Sequence, residues 1–522
     1  MKLWRIINKY KVITGVSFGA IVIMGLLIMT HKKNKSHWSN AGACLRVAIT
    51  KLYDSYDPTL LLTTDHVFVI QNLAGKLIEV GEDNSLYSAI AESWHVSSDK
   101  RVYRLKLSDT ARFSNGDLIT IDDVVASLKR QLLLSGTHID LRKKILGGEN
   151  LKTVDSEIKG IRALSARELE IEITHSDERF LFWIAFPETV ILPQSEARKL
   201  QGQLSFAVTS GPFFLKPSKG YLHLEKNPYY YYRHGTAASC IHLYGYEVPE
   251  AVADDFFQKK LDVLDYGAAY APSFEKFIHN DDYNVVTSEA KALTYFVFNT
   301  RTPAAAKAEA RRWISRQIRP DALIPYGKNF IFTPANQFLI STHQGYLSSA
   351  EVAQVTDNAL AIKPEISKLR VLYPEVFGKS YLAFLKQALH QQLGIPIEIV
   401  PYVEGNVEEA LKKSDWDIAF LLVGMGEKAT NILLGYHFRG INPIYTWQDS
   451  IIGQAMEVIA ETDSEVKRVA QFKIISEQLL RQAYIIPVAA FKWPVITRSD
   501  LYFEKINEFQ WGNPIWTLSW KQ

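Results

Sequence analysis

The sequence predicts a mixed α/β protein, and three observations support this prediction. Short strand-like runs, in which apolar and polar residues alternate, recur along the whole chain. Helical runs, whose apolar residues lie three and four positions apart, separate these strand-like runs. With 522 residues, of which 47% are hydrophobic and 22% are charged, the chain is long enough for about two to four domains. A chain that interleaves the two element types folds into sheets covered by helices.

An uncharged apolar segment, Val12–Met29, lies close to the amino terminus. As a helix it is ~27 Å long, which is close to the thickness of the hydrocarbon core of a bilayer. We predict a transmembrane anchor or an export signal over residues 1–31 and a polar linker over residues 32–44. Either form places the body of the protein outside the cytoplasm. Basic residues flank the apolar segment on both sides: Lys2, Arg5, Lys9, Lys11, Lys32, Lys33 and Lys35.

Cys44 ends this linker, and the only other cysteine is Cys240. Two cysteines cannot form a disulfide framework, and their spacing matches no zinc or redox motif. The preceding Ala41-Gly42-Ala43 suits peptidase cleavage or lipidation of Cys44, but it lies far from the apolar segment and lacks the leucine usual before a lipidated cysteine. We expect an uncleaved anchor, with cleavage or lipidation at Cys44 as the alternative.

The body begins with predicted strands. Leu45–Ile49 has the apolar pattern of a first strand, and Asp57-Pro58 ends the extended stretch that follows it. Valine, tyrosine and leucine alternate with charged residues over Val102–Leu107, which predicts a half-buried strand.

A turn and a capped helix come next. Asn115-Gly116 supplies the positive backbone dihedrals that a tight turn needs. Thr120 is placed to cap a helix, with Asp123 as its acidic partner three residues later. Apolar spacing then predicts helix over Asp122–Leu134.

The same patterns continue to the end of the chain. Further strands are predicted over Glu168–Ile173, Tyr221–Glu225, Cys240–Tyr246, Thr294–Asn299, Leu369–Tyr373, Ile397–Val400 and Asp417–Val423. Further helices are predicted over Pro249–Lys259, Ala304–Ile318, Phe377–Leu393 and Ser464–Gln482.

The composition and the motifs favour no catalytic or cofactor chemistry. The net charge of +3 comes from nearly balanced acids and bases, so no strong field favours nucleic acid. The 13 histidines include no His-Glu-x-x-His, and no compact cluster has metal-ligand spacing. Nothing singles out catalytic carboxylates or a nucleophile among the 56 acidic residues and the hydroxyl groups. We therefore predict neither an enzyme nor a bound cofactor.

One glycine motif resembles a dinucleotide fingerprint. A buried-strand pattern enters Gly424-x-Gly426-x-x-Ala429, and a carboxylate follows at Asp449. The motif comes late in the chain, and no glycine-rich turn follows the first strand. Because isolated glycine motifs often match by accident, we do not interpret this motif as a nucleotide site.

Several motifs recur in an order that is typical of one protein family. Together they resemble the family 5 extracellular solute-binding proteins, the peptide- and nickel-binding receptors of ABC importers. The resemblance covers about residues 45 to 522, and its specificity comes from order and spacing. The motifs are Ala91-Glu92-Ser93-Trp94, Phe113-Ser114-Asn115-Gly116-Asp117, Ser210-Gly211-Pro212-Phe213, Asn227-Pro228-Tyr229-Tyr230 and Tyr295 to Thr300.

This resemblance implies a fold of two lobes hinged around a ligand cleft, with mixed sheets and an extra subdomain: the two-lobed periplasmic binding protein fold of type II. It assigns the segments as follows: residues 45–86, 190–291 and 487–522 to the first lobe, residues 87–189 to its inserted subdomain, and residues 292–486 to the second lobe.

The resemblance also implies two ligand-binding segments. Tyr53, Asp54 and Ser55 lie where relatives offer a strand edge to the ligand backbone. Gly424 begins a cleft-facing loop that continues with Met425, Gly426 and Glu427. Peptide-binding relatives place an aspartate near Gly426 to pair with the ligand's amino group, and this chain has none there. Glu427 is the nearest substitute.

We therefore expect a monomeric substrate-binding component of an ABC importer. It would close its lobes around an oligopeptide or a similar small solute and deliver that solute to the permease subunits, while residues 12–29 hold it at the membrane. Alternatives are the same fold binding a metal chelate or haem, an extracytoplasmic enzyme, or a structural surface protein without a transport role.

Overall fold

The computed structural model describes residues 44–520 apart from these gaps: 61–62, 81–84, 135–140, 178–179, 232–237, 247, 265–271, 329, 358, 403–409, 412–414, 425–433, 435–444, 463 and 503–518. Residues 42–522 group as one compact unit. The predicted anchor and all of the linker except Cys44 lie outside the described residues. Within those residues, none of the helices combines the length and the apolar character that crossing a membrane requires.

The strands follow one another from the amino terminus as β1 (Leu45–Ile49), β2 (Ile78–Val80), β3 (Leu86–Ser88), β4 (Ala91–Val96), β5 (Val102–Leu107), β6 (Ile161–Ala163), β7 (Glu168–Glu172), β8 (Phe213–Lys216), β9 (Leu222–Lys226), β10 (Cys240–Gly245), β11 (Val263–Leu264), β12 (Tyr283–Phe298), β13 (Phe332–Pro334), β14 (Leu369–Pro374), β15 (Ile397–Tyr402), β16 (Ile418–Gly424), β17 (Ile485–Arg498), β18 (Leu501–Tyr502) and β19 (Ser519–Trp520).

The α-helices are α1 (Thr64–Leu73), α2 (Ile121–Leu134), α3 (Leu141–Lys144), α4 (Phe180–Trp183), α5 (Gln194–Ala197), α6 (Pro249–Phe257), α7 (Glu275–Ile278), α8 (Ala308–Gln317), α9 (Ser349–Thr356), α10 (Gly378–Leu393), α11 (Ser450–Glu461) and α12 (Glu465–Gln482).

One mixed sheet runs through most of the molecule. Its strand order is β15-β14-β16-β12-β17-β11-β1-β10-β9-β8, and β13 pairs with β17 beside this path. At one end, β1 runs parallel to β10 and β11. At the other end, β14 runs parallel to β15 and β16. Two parallel groups, one in each half of the sheet, are thus separated by the long antiparallel pair β12 and β17.

The β12 and β17 strands join the two halves because each of them is long enough to reach both. The carboxyl part of β12, Ala292 to Phe298, pairs with β16, and its whole length pairs with β17. The carboxyl part of β17 pairs with β11 through Ile496 and Thr497. The β17 strand is buried along most of its length and β12 from Ala292 to Phe298, in keeping with strands that are covered on two faces.

A second, four-stranded sheet has the order β4-β5-β7-β6 and its own hydrophobic core. In β5 the alternation predicted from sequence is realised: Tyr103, Leu105 and Leu107 are buried, while the charged residues between them are exposed. The α2 helix contributes Val124 and Leu128 to the same core. This sheet is formed by residues between 91 and 172, within the segment assigned to the inserted subdomain.

Many of the elements predicted from sequence are present. The bounds of β1 and β5 are those predicted, and α2 starts one residue earlier than predicted. The predicted cap also forms: the Thr120 N–H donates to Asp123 Oδ2 at 2.9 Å, and the Asp123 N–H donates to Thr120 Oγ1 at 3.3 Å. Short-range patterns were sufficient for these elements because each depends on neighbours along the chain.

Other predictions need correction. Helix was predicted from Ala304, but α8 starts at Ala308, because Thr302 to Ala306 form turns in which the Ala306 N–H donates to the Thr302 carbonyl at 2.8 Å. The strand predicted from Thr294 starts at Tyr283, since pairing with β17 extends it. The sequence patterns did not reveal α1 or α11.

Cys44 forms a disulfide with Cys240, 196 residues away. The bridge follows from the parallel pairing of β1 with β10, which places the starts of both strands side by side. Two cysteines exclude a multi-bridge framework, and this single bridge was not predicted from the sequence. It also corrects the alternative of lipidation, because a bridged Cys44 has no free thiol for a lipid to modify.

Candidate ligand-binding site

The sheet topology brings the carboxyl ends of both parallel groups to one region. In one half, Leu264 of β11 lies opposite Ile496 of β17, and β1 runs in the same direction as β11. In the other half, Gly424 at the end of β16 lies opposite Ala292 of β12. Both groups therefore point towards the middle of the β12–β17 pair. We call the residues that follow β1, β10, β14 and β16 the carboxyl-end site, because open α/β sheets bind ligands outside the carboxyl ends of their strands.

The β12–β17 pair is irregular beside this site. Its register shifts between Thr287 and Ala290 and again between Ala290 and Ala292. The buried side chain of Ser288 accepts a hydrogen bond at 3.0 Å from the Trp493 N–H across this irregular stretch. Bulges of this kind bend strands and increase their twist. The irregularity lies where the two halves of the sheet meet.

The segment after β1 is held by a buried carboxylate. Asp65, in the first turn of α1, accepts hydrogen bonds from Thr50 Oγ1 and, at 3.0 Å, from the Lys51 N–H. Its other oxygen, Oδ1, has no hydrogen-bond partner among the described residues. Burial raises the pKa of Asp65 to about 6, although these hydrogen bonds act in the opposite direction.

A small aromatic cluster shapes the same segment. The ring centroids of Tyr53 and His66 lie 4.0 Å apart. The Tyr53 N–H donates a hydrogen bond to the Tyr56 hydroxyl at 3.1 Å. His66 Nε2 lies 3.2 Å from the carbonyl oxygen of Ser55. Burial lowers the pKa of His66, so the neutral ring is favoured at neutral pH. These contacts fix the segment, and no strand is assigned over Tyr53 to Ser55.

Three polar groups of Asp54 and Ser55, the Asp54 carboxylate and the two N–H groups, pair with no other described residue. The Asp54 side chain is exposed and forms no hydrogen bond or ion pair with any described residue. The N–H groups of Asp54 and Ser55 also have no hydrogen-bond partner in the described part of the chain. A carboxylate and two main-chain donors are therefore available to a ligand at the carboxyl end of β1.

Asp57 anchors the end of the segment. It accepts two hydrogen bonds from Arg130 of α2, at 2.8 and 2.5 Å, and one from the Gly202 N–H at 2.8 Å. Burial raises the pKa of Asp57, but the hydrogen bonds and the charge of Arg130 outweigh burial and hold it below its ordinary value. The segment after β1 is thereby tied to two elements that are distant in sequence.

The second predicted segment is described only at its start. Gly424 is the last residue of β16 and lies at the carboxyl-end site. Met425, Gly426 and Glu427 lie outside the described residues. The carboxylate that would complete a dinucleotide site, Asp449, instead caps α11 by accepting from the Ile451 N–H at 3.0 Å.

A contact that sequence reasoning missed joins the two halves. Glu250, in the first turn of α6 after β10, accepts a hydrogen bond at 3.3 Å from the N–H of Ser380, in the first turn of α10 after β14. A carboxylate at a helix amino terminus is favourable because the N–H groups there lack intrahelical partners. The acidic residue after Pro249 was visible in the sequence, but its partner lies 130 positions away.

The chain matches the family model of the bacterial extracellular solute-binding proteins, family 5 middle, over residues 85–431. A dipeptide-binding protein of Lactococcus lactis is 27% identical over 232 residues, which are 42% of this chain and 40% of that protein. The dipeptide-binding protein DppE of Bacillus subtilis is 22% identical over 303 residues, which are 55% of this chain and 53% of that protein. The matched regions thus span about half the length of these relatives or less.

Solved structures of similar shape cover nearly the whole chain. A periplasmic oligopeptide-binding protein of Borrelia burgdorferi has a TM-score of 0.76 at 17% identity, covering 92% of this chain and 100% of its own. OppA of Haemophilus influenzae in complex with RPPGFSPFR has a TM-score of 0.74 at 16% identity, covering 92% and 99%. NikA of Brucella suis with Fe(III)-EDTA has a TM-score of 0.75 at 15% identity, covering 91% and 100%. They confirm the predicted two-lobed fold with mixed sheets.

Proposed function

Because this chain belongs to the bacterial extracellular solute-binding proteins of family 5, we propose that it is the substrate-binding component of an ABC importer. It captures a short peptide at the carboxyl-end site and delivers it to the permease subunits. Its relatives in Lactococcus lactis and Bacillus subtilis are dipeptide-binding proteins, which supports a peptide as the solute. Catalysis has no part in this proposal.

The observation that carries the proposal is the convergence of two parallel strand groups on the irregular middle of β12 and β17. Ligands of open α/β sheets bind outside carboxyl strand ends, and here two such sets of ends face one region. A ligand that contacts both sets stabilises the arrangement in which the halves are close together. The register shifts near Ser288 and Ala290 provide the place where the connecting strands bend.

The lobes of the proposal keep the predicted boundaries. The first lobe comprises residues 45–86, 190–291 and 487–522, the inserted subdomain residues 87–189, and the second lobe residues 292–486. The separate four-stranded sheet and its core support the subdomain. The boundary between residues 291 and 292 falls at the second register shift of β12.

Two segments contact the peptide in this proposal. Main-chain donors of Asp54 and Ser55 pair with peptide carbonyl groups, and Tyr53 forms an aromatic wall beside them. Main-chain pairing holds many peptide sequences because it does not depend on their side chains. Gly424 and the residues that follow it, Met425, Gly426 and Glu427, contact the peptide from the second lobe.

The remaining parts of the proposal concern location and assembly. The protein acts as a monomer outside the cytoplasm, and the apolar segment over residues 12–29 tethers it to the membrane. A tether keeps the receptor close to its permease, which raises the effective concentration of the two partners.

Calorimetry of the full chain with a mixture of short peptides, paired with small-angle scattering, tests the proposal. We expect saturable peptide binding and a decrease in the radius of gyration. Nickel chelates and haem are the comparison solutes. If a nickel chelate or haem binds and peptides do not, the proposed solute is wrong but the transport role stands. If no solute binds and none decreases the radius of gyration, the transport role is contradicted.

A further inference from the structure

A group of sulfur and nitrogen ligands lies at the end of the sheet opposite to the carboxyl-end site. We call it the thiol–histidine cluster: Cys44, Cys240, His223, His242 and Glu225. Ligand atoms of Cys44, Cys240 and His223 all lie within 4.8 Å of one another. Cys44 immediately precedes β1 and Cys240 is the first residue of β10, so the cluster lies at the amino-terminal ends of these strands.

The strand register places four members of the cluster on one face: Cys240, His242, His223 and Glu225. His242 of β10 lies directly opposite His223 of β9, and Cys240 lies opposite Glu225. Residues that differ by two positions share a face of a strand, so these four side chains project in the same direction. The ring centroids of His223 and His242 are 4.9 Å apart. The intervening Ile241 is fully buried on the other face.

Glu225 holds the ring of His223, since its Oε2 lies 3.2 Å from His223 Nε2. At metal sites a carboxylate commonly accepts a hydrogen bond from one ring nitrogen of a histidine and so orients the other nitrogen towards the metal. Cys44 and His223 are partly exposed, while Cys240 is buried. An ion can therefore reach the cluster from solvent on one side.

We propose that reduction of the Cys44–Cys240 disulfide converts this cluster into a binding site for Zn²⁺ or a divalent cation of similar affinity for thiolates. Cys44, Cys240, His223 and His242 are the ligands, and Glu225 is a positioning residue. Two thiolates with two imidazoles form a ligand set typical of tetrahedral zinc sites. Zn–S bonds of about 2.3 Å and Zn–N bonds of about 2.0 Å require ligand atoms only about 3.3 to 3.8 Å apart.

The chemical step is a thiol–disulfide exchange followed by proton release. An external dithiol supplies two electrons and two protons, the S–S bond of Cys44–Cys240 breaks, and the dithiol is oxidised to its own disulfide. The two thiols then lose their protons to solvent as the cation binds. With the disulfide intact, neither sulfur is available as a thiolate, so the redox state of the bridge decides whether the site exists.

Titration of the full chain with Co²⁺ as a spectroscopic probe tests this proposal. The protein is titrated in its oxidised form and again after reduction and anaerobic removal of the reductant. We expect one Co²⁺ per chain with a thiolate-to-metal charge-transfer band and tetrahedral d–d bands, only in the reduced form. Added Zn²⁺ should remove these bands. Far-UV circular dichroism follows the fold throughout.

Variants distinguish the built site from chance binding by two thiols. His223→Ala and His242→Ala should each weaken Co²⁺ binding by at least about 10-fold, whereas His175→Ala, an exposed histidine after β7, should leave it unchanged. If reduction unfolds the chain, Cys44→Ser is titrated instead, and adding His223→Ala to it must weaken binding. Absence of the charge-transfer band, or equal affinity of the His223 and His175 variants, would overturn the proposal. Peptide binding is measured separately, so the two proposals can fail independently.

Discussion

Asp57 and Arg130 form a buried ion pair in which the guanidinium donates two hydrogen bonds to the carboxylate, at 2.8 and 2.5 Å. The side chains are 0% and 2% exposed, respectively. The pair joins the segment after β1, which carries the proposed peptide contacts, to α2. It therefore holds this segment in place without contributing to the exposed surface.

Replacing Asp57 with asparagine should destabilise the protein by about 3 kcal/mol. The substitution leaves the guanidinium of Arg130 buried without a countercharge, which costs more than the pair contributes when intact. Urea denaturation followed by tryptophan fluorescence measures the change. Asp54→Asn is the matched control, because Asp54 is exposed and unpaired among the described residues. The unfolding free energy of this variant should stay within about 0.5 kcal/mol of that of the wild type. Equal stability of the two variants would contradict this account.

Asp65 should make stability depend on pH between about 4 and 6. Its pKa is raised to about 6 in the fold, against about 4 in the unfolded chain, so the folded state binds the proton more tightly. Its stabilising contribution is complete below pH 4 and is lost as the pH rises through 6, amounting to about 2 to 3 kcal/mol.

Asp65→Asn, which keeps an acceptor for Lys51 but cannot ionise, isolates this effect. The difference in unfolding free energy between the wild type and the variant, measured by urea denaturation, should shift in favour of the variant from pH 4 to pH 7.5. If this difference in unfolding free energy stays constant from pH 4 to pH 7.5, the pKa of Asp65 is the same in the folded and the unfolded chain, and the prediction is wrong.

Local signals in the sequence predicted a large part of the fold. The capping pair Thr120 and Asp123, the alternation in β5 and the bounds of β1 follow from residues close together in sequence. In contrast, no strand was predicted over β17, because Pro487 and Pro494 interrupt its pattern. Proline is unusual inside a strand. Here Pro487 lies opposite Tyr295 and Pro494 lies opposite Thr287, and the register of β12 shifts beside both of these residues.

The site could be predicted only in outline, since its parts meet across long separations. Tyr53, Asp54 and Ser55 were selected through family resemblance, and the topology does place them at the carboxyl end of β1. The pairs Asp57–Arg130, Glu250–Ser380 and Cys44–Cys240 span 73, 130 and 196 residues. No local pattern encodes such a pairing, because it depends on which strands become neighbours in the sheet.

Ser288→Ala should weaken the connection between the two halves. The Trp493 N–H donates a buried hydrogen bond to Ser288 Oγ, and the variant removes the acceptor of this bond, at a cost of about 1 to 3 kcal/mol. Denaturation measures the loss. Ser315→Ala is the control, because Ser315 Oγ is buried without a hydrogen-bond partner among the described residues. We expect Ser315→Ala to be neutral or slightly stabilising, and an equal loss in both variants would refute the role of Ser288.

Removing the disulfide should lower stability by about 2 to 4 kcal/mol, a typical value for a native bridge. Cys240→Ser is compared with the wild type under non-reducing conditions, and the wild type with added reductant should approach the variant. Mass spectrometry of the peptide that contains Cys44 should show it linked to Cys240. An acyl chain on Cys44 would contradict the bridge.

Asp54→Asn should weaken the binding of peptides with a free amino group by at least about 10-fold while leaving stability unchanged. The exposed Asp54 carboxylate is free to pair with a ligand ammonium, and a hydrogen bond to a charged group contributes about 1.5 to 3 kcal/mol. Calorimetry with one peptide in free and N-acetylated forms measures the effect, and the acetylated peptide should bind both proteins equally.

Glu427→Gln is the decisive comparison, because the resemblance had suggested Glu427 as the substitute for the missing aspartate near Gly426. If Asp54 pairs with the amino group, only Asp54→Asn removes the preference for the free amine over the acetylated form. Loss of that preference in Glu427→Gln alone would move the amine contact to the second lobe. Asp54→Asn is also the stability control for Asp57→Asn. We expect Asp54→Asn to lose peptide affinity without losing stability, whereas Asp57→Asn loses stability. This difference would show that Asp54 contacts the ligand and that Asp57 supports the segment.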